Sequence, residues 1–200
     1  MAVLRKVSKW IGSSLHQNTV GTFLALHHST IPCSSALVWP TLLPHRSSFP
    51  RQADSWHFDK LYRAGQIELE LVPQGNLAER IRAAGAGIGG FFTPTGYGTE
   101  LAQGKETREI DGRMYVLESP IHADFALIKA ERGDRWGNLT YRMTARNFGP
   151  VMAMAARTTV ATVHEVVELG ALDPECVVTP GLFVQRVVRI ERAPTRGAGF

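Results

Sequence analysis

The spacing of apolar residues changes from segment to segment and predicts short helices that alternate with short strands. Residues 58–64 have apolar positions at helical spacing and stop at Gly65, a residue type that commonly ends helices. Residues 67–72 alternate apolar and acidic side chains, which indicates a half-buried strand. Residues 76–84 return to helical spacing, with apolar side chains along one face.

The second half of the chain continues this alternation. Asp111-Gly112 predicts a two-residue hairpin, because both central positions of such a turn adopt positive φ. Residues 123–130 predict a buried strand and residues 151–157 a helix, whereas β-branched residues favour strands at 158–163 and 182–190. Alternating helices and strands are typical of an α/β fold in which helices cover the sheet.

The first 47 residues differ from the rest of the chain. They are rich in Ser and His, contain no acidic residue, and are broken by prolines. We therefore expect an irregular segment at 1–47, a folded domain at 48–192 and a frayed tail at 193–200. A displaced start of translation or an organellar transit segment would each explain such an N-terminus.

Composition and charge exclude several classes of function. The net charge is +4, but five basic residues fall in the first 53 positions, and the remainder holds 17 basic and 18 acidic residues. The body therefore lacks the basic surface that nucleic-acid binding requires. No stretch approaches the roughly 18 to 20 apolar residues of a membrane span. Two distant cysteines suggest no disulfide or zinc site and fit a reducing cytoplasm, and the scattered histidines suggest no metal site.

The candidate chemistry lies between Pro73 and Thr99. Gln74 follows the predicted strand directly, and a neutral amide can donate a hydrogen bond to an oxyanion. Glycines crowd the following segment, where backbone amides can approach an acyl group closely. Two other interpretations stay open: Gln74 as a helix cap, and the glycines as a tight structural loop. Glu79 is interpreted as a helix residue whose carboxylate bonds back to the start of the helix, and neither Glu79 nor Glu100 is interpreted as the nucleophile.

Several further motifs occur in a fixed order along the chain. Besides Gln74 and the glycine segment, they lie at residues 48–52, 61–65, 123–129, 133–139, 144–148 and 179–181. Together they resemble the A subunit of the 3-oxoacid coenzyme A-transferase family, closest to its 3-oxoadipate branch in aromatic-compound catabolism, the β-ketoadipate pathway. The resemblance implies a mostly parallel sheet with helices on both faces.

The resemblance also implies a mechanism and a partner. A glutamate on a separate B subunit would attack succinyl-CoA, and the coenzyme A would pass to the 3-oxoacid, without a resident cofactor or metal. Gln74 would donate to the oxyanion. The residues expected to bind substrate or coenzyme A are Gly75, Gly85, Gly87, Gly96, Arg51 and Asn147. We therefore expect a cytoplasmic hetero-oligomer that is active only with the B subunit.

The N-terminus departs from the family pattern. Members of this family begin with a βα unit that carries a Gly-Gly-Phe-Gly-like loop, and residues 1–47 contain no Gly-Gly pair. The first βα unit is therefore expected to be missing or replaced. Two alternatives to the 3-oxoadipate assignment remain: the A subunit of an acetoacetate/succinyl-CoA transferase, and a non-catalytic remnant.

Overall fold

A computed structural model describes residues 43–47 and 56–192 of the chain. These residues form two compact units that interleave along the sequence. The amino-terminal unit comprises residues 43–47, 56–126 and 151–158. The carboxy-terminal unit comprises residues 127–150 and 159–192. The region expected as one domain, 48–192, thus contains parts of both units.

The amino-terminal unit alternates helices and strands. Its elements in chain order are β1 (Leu43–Ser47), α1 (Trp56–Arg63), β2 (Ile67–Leu71), α2 (Gln74–Gly85), β3 (Phe91–Thr93), a 3₁₀ turn (Glu100–Ala102), β4 (Thr107–Ile110) and β5 (Arg113–Glu118). Strands β1 and β2 pair in parallel. Strands β3, β5 and β4 form an antiparallel sheet in that order.

The carboxy-terminal unit contains most of the remaining strands. The remaining elements are β6 (Ala123–Lys129), β7 (Arg132–Asp134), β8 (Leu139–Thr140), α3 (Gly149–Ala155), β9 (Ala156–Val163), β10 (Glu165–Val167) and β11 (Arg186–Arg189), with 3₁₀ turns at Met143–Arg146, Pro174–Cys176 and Gly181–Phe183. One sheet has the order β10-β7-β8 and another β11-β9-β6, with β10 parallel to β7 and β11 parallel to β9. The described strands thus form four small sheets, three of which contain a parallel pair. Within this described part, no helix is both long and apolar enough to cross a bilayer.

The end of α1 follows the predicted glycine signal. Gly65 has φ +66°, and its N–H bonds to the Tyr62 carbonyl at 3.0 Å, while the Gln66 N–H bonds to the Leu61 carbonyl at 2.9 Å. This pair of bonds is the Schellman arrangement, which satisfies carbonyls left free at a helix end. Gly65 is therefore required by the backbone conformation.

The predicted hairpin is also present. Asp111 (φ +50°) and Gly112 (φ +73°) join β4 to β5, with Ile110 opposite Arg113. Two consecutive positive φ angles define the turn that suits the twist of antiparallel strands. The Asp-Gly pair thus makes β4 and β5 antiparallel neighbours.

Strand β1 occupies the last five residues of the segment expected to be irregular. Its residues pair in register with β2, Leu43 opposite Ile67 and Ser47 opposite Leu71. Pro44 suggested a break in regular structure, but proline is tolerated in an edge strand that does not need its N–H. The rest of segment 1–47 and the tail 193–200 lie outside the described residues.

Two predicted elements have different limits in the structure. Helix α3 begins and ends two residues before the predicted 151–157, and β9 follows it without a loop. Pro150 fits the first turn of this helix, where an N–H has no intrahelical partner. The predicted strand 182–190 shortens to β11, because its first residues belong to the 3₁₀ turn Gly181–Phe183.

A polar turn holds two motif segments of the carboxy-terminal unit together. Buried Asp134 accepts hydrogen bonds from the backbone N–H groups of Trp136 and Asn138 at 2.9 and 3.0 Å, and from the Asn138 side chain at 2.8 Å. The Asn138 Oδ1 accepts from the Gly181 N–H at 2.9 Å. A Cβ on Gly181 would lie 2.2 Å from the Trp136 carbonyl oxygen. These motif residues therefore have a structural role.

Helix α2 packs its final residue against α3 within the amino-terminal unit. A Cβ built on Gly85 would lie 2.5 Å from Met154 Cβ and 3.0 Å from the Met154 carbonyl carbon. Neither atom can move away as the end of a flexible side chain could. Gly85 thus allows a close approach that any larger residue would prevent.

We predict that Gly85→Ala destabilises the protein, because the added methyl group overpacks this contact at a cost of about 1–3 kcal/mol. Chemical denaturation of the purified protein measures the change. Gly75→Ala is the matched control, since a Cβ at Gly75 meets nothing within 4 Å in the same helix. That control should keep or slightly raise the stability. Equal stability of both variants would contradict the predicted clash.

Glu70 joins β1, β2 and α2 through two arginines. It accepts a hydrogen bond from Arg46, which lies opposite it on β1, and another from Arg80 Nη1 at 2.8 Å. Partial burial pushes the pKa of Glu70 upward, but the hydrogen bonds and charges of Arg80 and Arg46 outweigh this effect and hold the pKa below its ordinary value.

We predict that Glu70→Gln is less stable than the wild type at pH 7, and that the difference disappears in acid. A carboxylate with a lowered folded-state pKa stabilises above its unfolded value of 4.5, and the contribution is lost as the pH falls through the lower folded value. Because Glu70 is partly exposed, the difference at pH 7 should not exceed about 1 kcal/mol. Denaturation from pH 7 to pH 3 tests this, with Glu68→Gln on the same strand as control. A difference that persists unchanged at pH 3 would refute the assignment.

Candidate active site at the start of α2

Helix α2 begins at Gln74, two residues earlier than predicted. Pro73 is its N-cap, with φ −52° and ψ 137°, and no side chain caps the helix. The first intrahelical bond there runs from the Leu77 N–H to the Pro73 carbonyl at 2.9 Å. The backbone N–H groups of the residues before Leu77 therefore stand outside the helical ladder and carry the positive end of the helix dipole.

Gln74 is the first residue of this helix, and its side chain is exposed. The alternative in which Gln74 caps the helix is wrong, because the N-cap is Pro73. Gly75 is also exposed, and the space where a Cβ would lie is open to 4 Å. The uncharged side-chain amide of Gln74 and the exposed backbone of Gly75 thus lie next to each other at the start of α2. The catalytic role of Gln74 stays a prediction.

Asn76 connects this first turn to the segment that follows β3. Its Nδ2 donates to Glu118 Oε1 at 3.2 Å and to the Thr95 carbonyl at 3.4 Å, and the residue is buried. Thr95 immediately precedes Gly96. The two candidate segments, Gln74-Gly75 and the loop with Gly96, are therefore linked through one side chain.

The loop between β3 and the first 3₁₀ turn, residues 94–99, has its own internal structure. Gly96 and Gly98 adopt φ angles of +93° and +76°, which are unfavourable for residues that have a Cβ. The Thr99 hydroxyl donates to the Gly96 carbonyl at 2.7 Å, and the Tyr97 N–H bonds to the Pro94 carbonyl at 3.3 Å. The glycines thus serve a folded loop, here called the Gly96 loop.

Glu118 lies at the end of β5 and is the most deeply buried carboxylate near the site. Its side chain is 3% exposed. Lys105 Nζ approaches Oε1 at 2.9 Å, and Arg80 Nε lies 3.6 Å from Oε2. Arg80 also donates to the Ser119 carbonyl at 2.8 Å. A carboxylate in this setting is an anchor held by two cations, and it is not accessible to a substrate.

Sequence reasoning did not identify Asn76, Arg80 and Glu118 as a group. The buried face of α2 was expected to be apolar, yet it includes Asn76 and Arg80. The sequence spacing did indicate that Asn76 and Arg80 lie together, since residues four apart share one face of a helix. Glu118 similarly shares a face of β5 with fully buried Val116, by the two-residue period of a strand.

Two predicted glycine ligands have a structural explanation. Gly85 permits the contact with Met154, as described above. Gly87 (φ +70°) follows the end of α2, where its N–H bonds to the Ala84 carbonyl and the Ile88 N–H bonds to the Ala83 carbonyl. This is again the Schellman arrangement. The structure thus gives both glycines a reason that needs no ligand.

Two further predicted site residues, Arg51 and Asn147, lie outside the described part of the amino-terminal unit, and their roles stay predictions. Asn147 belongs to the carboxy-terminal unit and is exposed, whereas Arg51 lies outside the described residues. Glu79 is exposed and pairs with Arg82 at 2.8 Å. Glu100 is exposed in a 3₁₀ turn. Among residues 43–47 and 56–192, no three or more His, Cys, Asp or Glu side chains cluster as metal ligands would.

Comparison with known proteins gives a consistent result. A family model described as Coenzyme A transferase matches residues 45–189. The chain is 77% identical, over 146 residues, to the A subunit of 3-oxoadipate CoA-transferase from Pseudomonas putida, covering 73% of this chain and 63% of that protein. It is 60% identical over 131 residues to the A subunit of a succinyl-CoA:3-ketoacid coenzyme A transferase from Xanthomonas campestris, covering 66% of this chain and 54% of that protein. The chain thus spans less than two thirds of the length of these relatives.

The solved structures support the predicted fold class. Glutaconate coenzyme A-transferase from Acidaminococcus fermentans superposes with a TM-score of 0.59 at 20% identity, covering 67% of this chain and 49% of that one. This likeness confirms the α/β fold. Because the family model spans most of the sequence, and the motif resemblance agrees with it, the protein belongs to the coenzyme A transferase family.

Proposed function

We propose that this chain is the A-type subunit of a coenzyme A-transferase that moves coenzyme A from succinyl-CoA to 3-oxoadipate. The observation that carries the proposal is the 77% identity, over 146 residues, to the corresponding chain of the Pseudomonas putida 3-oxoadipate CoA-transferase. The designation of the relatives as A subunits implies a second type of chain, the B subunit, so the working enzyme is a hetero-oligomer. We place it in the cytoplasm, in agreement with the low cysteine content.

The proposed chemistry is a double displacement in which a glutamate of the B subunit is the nucleophile. Its carboxylate attacks the thioester carbonyl of succinyl-CoA, and a tetrahedral intermediate expels the coenzyme A thiolate to leave a mixed anhydride. The thiolate then attacks the glutamyl carbonyl, which gives a glutamyl thioester and releases succinate. The carboxylate of 3-oxoadipate repeats these steps in reverse and leaves with the coenzyme A.

Placing the nucleophile on another chain agrees with the state of the carboxylates near α2. Glu118 is buried between Arg80 and Lys105, and Glu79 pairs with Arg82 on the surface. Attack on a thioester requires an accessible carboxylate beside the bound carbonyl. Glu118 does not meet that requirement because it is buried, and the exposed Glu79 is engaged with Arg82.

Gln74 is the group that this chain contributes to the reacting carbonyl. Each tetrahedral intermediate carries an oxyanion, and a preorganised neutral amide stabilises that charge without neutralising the attacking carboxylate. The exposed Gln74 side chain lies at the positive end of α2, which adds to the same effect. Every step exchanges an acyl group between carboxylate and thiolate, so coenzyme A acts as a substrate and the proposal includes no resident cofactor.

The second candidate is a transferase that uses acetoacetate in place of 3-oxoadipate. The 60% identity to the Xanthomonas campestris protein favours it. The two acceptors differ in a distal carboxylate, which an arginine can hold through two parallel hydrogen bonds. Arg51 and Asn147 are the residues of this chain that we propose for acceptor or coenzyme A binding.

The function is tested by co-expressing this chain with the B subunit of the Pseudomonas putida enzyme and purifying the complex. We expect transfer from succinyl-CoA, with kcat/KM higher for 3-oxoadipate than for acetoacetate, and no transfer by the chain alone. The reverse order of kcat/KM would establish the second candidate. A complex that forms without turnover would instead identify a non-catalytic remnant, and full activity without the B subunit would refute the division of roles.

We predict that Gln74→Ala lowers kcat of this complex by about 10²- to 10³-fold, the usual cost of losing an oxyanion donor. The folded state should be unaffected, because the Gln74 side chain is exposed and does not cap α2. Steady-state kinetics and thermal unfolding measure the two quantities on the same sample. Unchanged turnover would remove Gln74 from the site.

A further inference from the structure

Three separate segments meet at one buried carboxylate. Glu118 of β5 contacts Asn76 in the first turn of α2, Arg80 one turn later, and Lys105 in the segment before β4. The Arg80 side chain is itself only 8% exposed. The charges of Glu118 and Arg80 are deeply buried, so each must keep its partners in place. An uncompensated charge at this depth would cost several kcal/mol.

Asn76 connects the buried Glu118 to both candidate segments, Gln74-Gly75 and the Gly96 loop. Its Nδ2 group has two hydrogen atoms, and the two acceptors within reach are Glu118 Oε1 and the Thr95 carbonyl. The Glu118 bond fixes the side-chain orientation, and the Thr95 bond then holds the Gly96 loop. Thr95 precedes Gly96, and Asn76 follows Gln74 by two residues in the same helical turn.

The sheet fixes the other end of the same loop. Phe91 of β3 lies opposite Glu118 in the antiparallel register, and Thr93 lies opposite Val116. A Cβ on Gly90 would lie 3.3 Å from the Glu118 carbonyl oxygen. The backbone of Glu118 therefore positions the strand that leads into the loop, while its side chain reaches the loop through Asn76.

We propose that Asn76 and Glu118 are positioning residues for acyl transfer, which rests on the function proposed above. Glu118 orients Asn76, and Asn76 sets the Gly96 loop against the first turn of α2. The Gln74 amide and the backbone of the loop are thereby held at one fixed separation around the reacting carbonyl. Neither positioning residue touches the substrate, since both are buried.

The consequence for catalysis is larger than the loss of one hydrogen bond. Small displacements of preorganised groups reduce rates by up to about 10²-fold, because the donor no longer lies where the oxyanion forms. Removal of the Asn76 amide should act on kcat, since it alters the geometry around the intermediate. Binding of the rest of the coenzyme A thioester should change little.

The test is a double-substitution cycle in the purified complex with the B subunit. We expect Asn76→Ala to lower kcat by about 10- to 100-fold, with the KM for succinyl-CoA changed by less than about threefold. Combined with Gln74→Ala, the same substitution should cost less than about threefold more, because the separation that Asn76 maintains between the Gly96 loop and the Gln74 amide no longer matters once that amide is absent. An independent structural effect would instead multiply the two losses.

The Glu118 variants separate orientation from charge. Glu118→Gln keeps an oxygen that accepts from Asn76 and should retain more of kcat than Glu118→Ala, which removes that acceptor. Glu118→Ala should approach the loss of Asn76→Ala, and the two together should cost little more than either alone. Equal kcat for Glu118→Gln and Glu118→Ala would contradict the proposed orientation of Asn76.

Two controls exclude simple destabilisation. Ile81→Ala removes a side chain that is buried in the same helix and should lower the unfolding midpoint while kcat per assembled complex is kept. Glu79→Gln changes an exposed carboxylate of the same helix and should alter neither quantity. Wild-type kcat in Asn76→Ala, or an equal loss in Ile81→Ala, would overturn the positioning role alone. A wild-type complex without transfer would overturn the proposed function, and this inference with it.

Discussion

The burial of one negative charge constrains the end of the amino-terminal unit that carries the candidate site. Glu118 is withdrawn from water, so its charge has to be met by cations and donors that the fold supplies. Those partners come from different parts of the chain: Arg80 and Asn76 from α2, and Lys105 from the segment before β4. A misplaced helix or loop would leave the carboxylate uncompensated. The charge therefore selects one arrangement of these elements.

Features set by local backbone geometry could be predicted from the sequence. The end of α1 at Gly65 and the hairpin at Asp111-Gly112 need positive φ angles that few residues adopt, so the residue type reveals the conformation. Strand β1 could not be predicted in this way, since it exists through pairing with β2 and contains a proline. The buried Arg80 was missed for a related reason. An arginine becomes a core residue only when tertiary partners satisfy it.

The candidate site shows the same division. Gln74 was predicted as the oxyanion donor partly because it stands at a strand-to-helix junction; its side chain is exposed in the first turn of α2, and its role stays a prediction. The glycines were harder to interpret, since one residue type serves different needs. Gly85 allows a close contact with Met154 because it has no side chain. Gly87 follows the end of helix α2, whereas Gly96 belongs to a folded loop. The number of glycines in the sequence does not distinguish these roles. The atoms that a Cβ would meet at each glycine in the structure do distinguish them.

The interleaving of the two units affects the order in which the chain is able to fold during synthesis. Helix α2 closes against Met154, yet residues 127–150 of the other unit are made before Met154 leaves the ribosome. The end of α2 therefore lacks its contact with Met154 while residues 127–150 of the carboxy-terminal unit are synthesised. Folding units usually form as continuous stretches. Here a nascent chain that stops at residue 126 would lack the segment that contacts Gly85, so the amino-terminal unit cannot be completed by a chain truncated at that point.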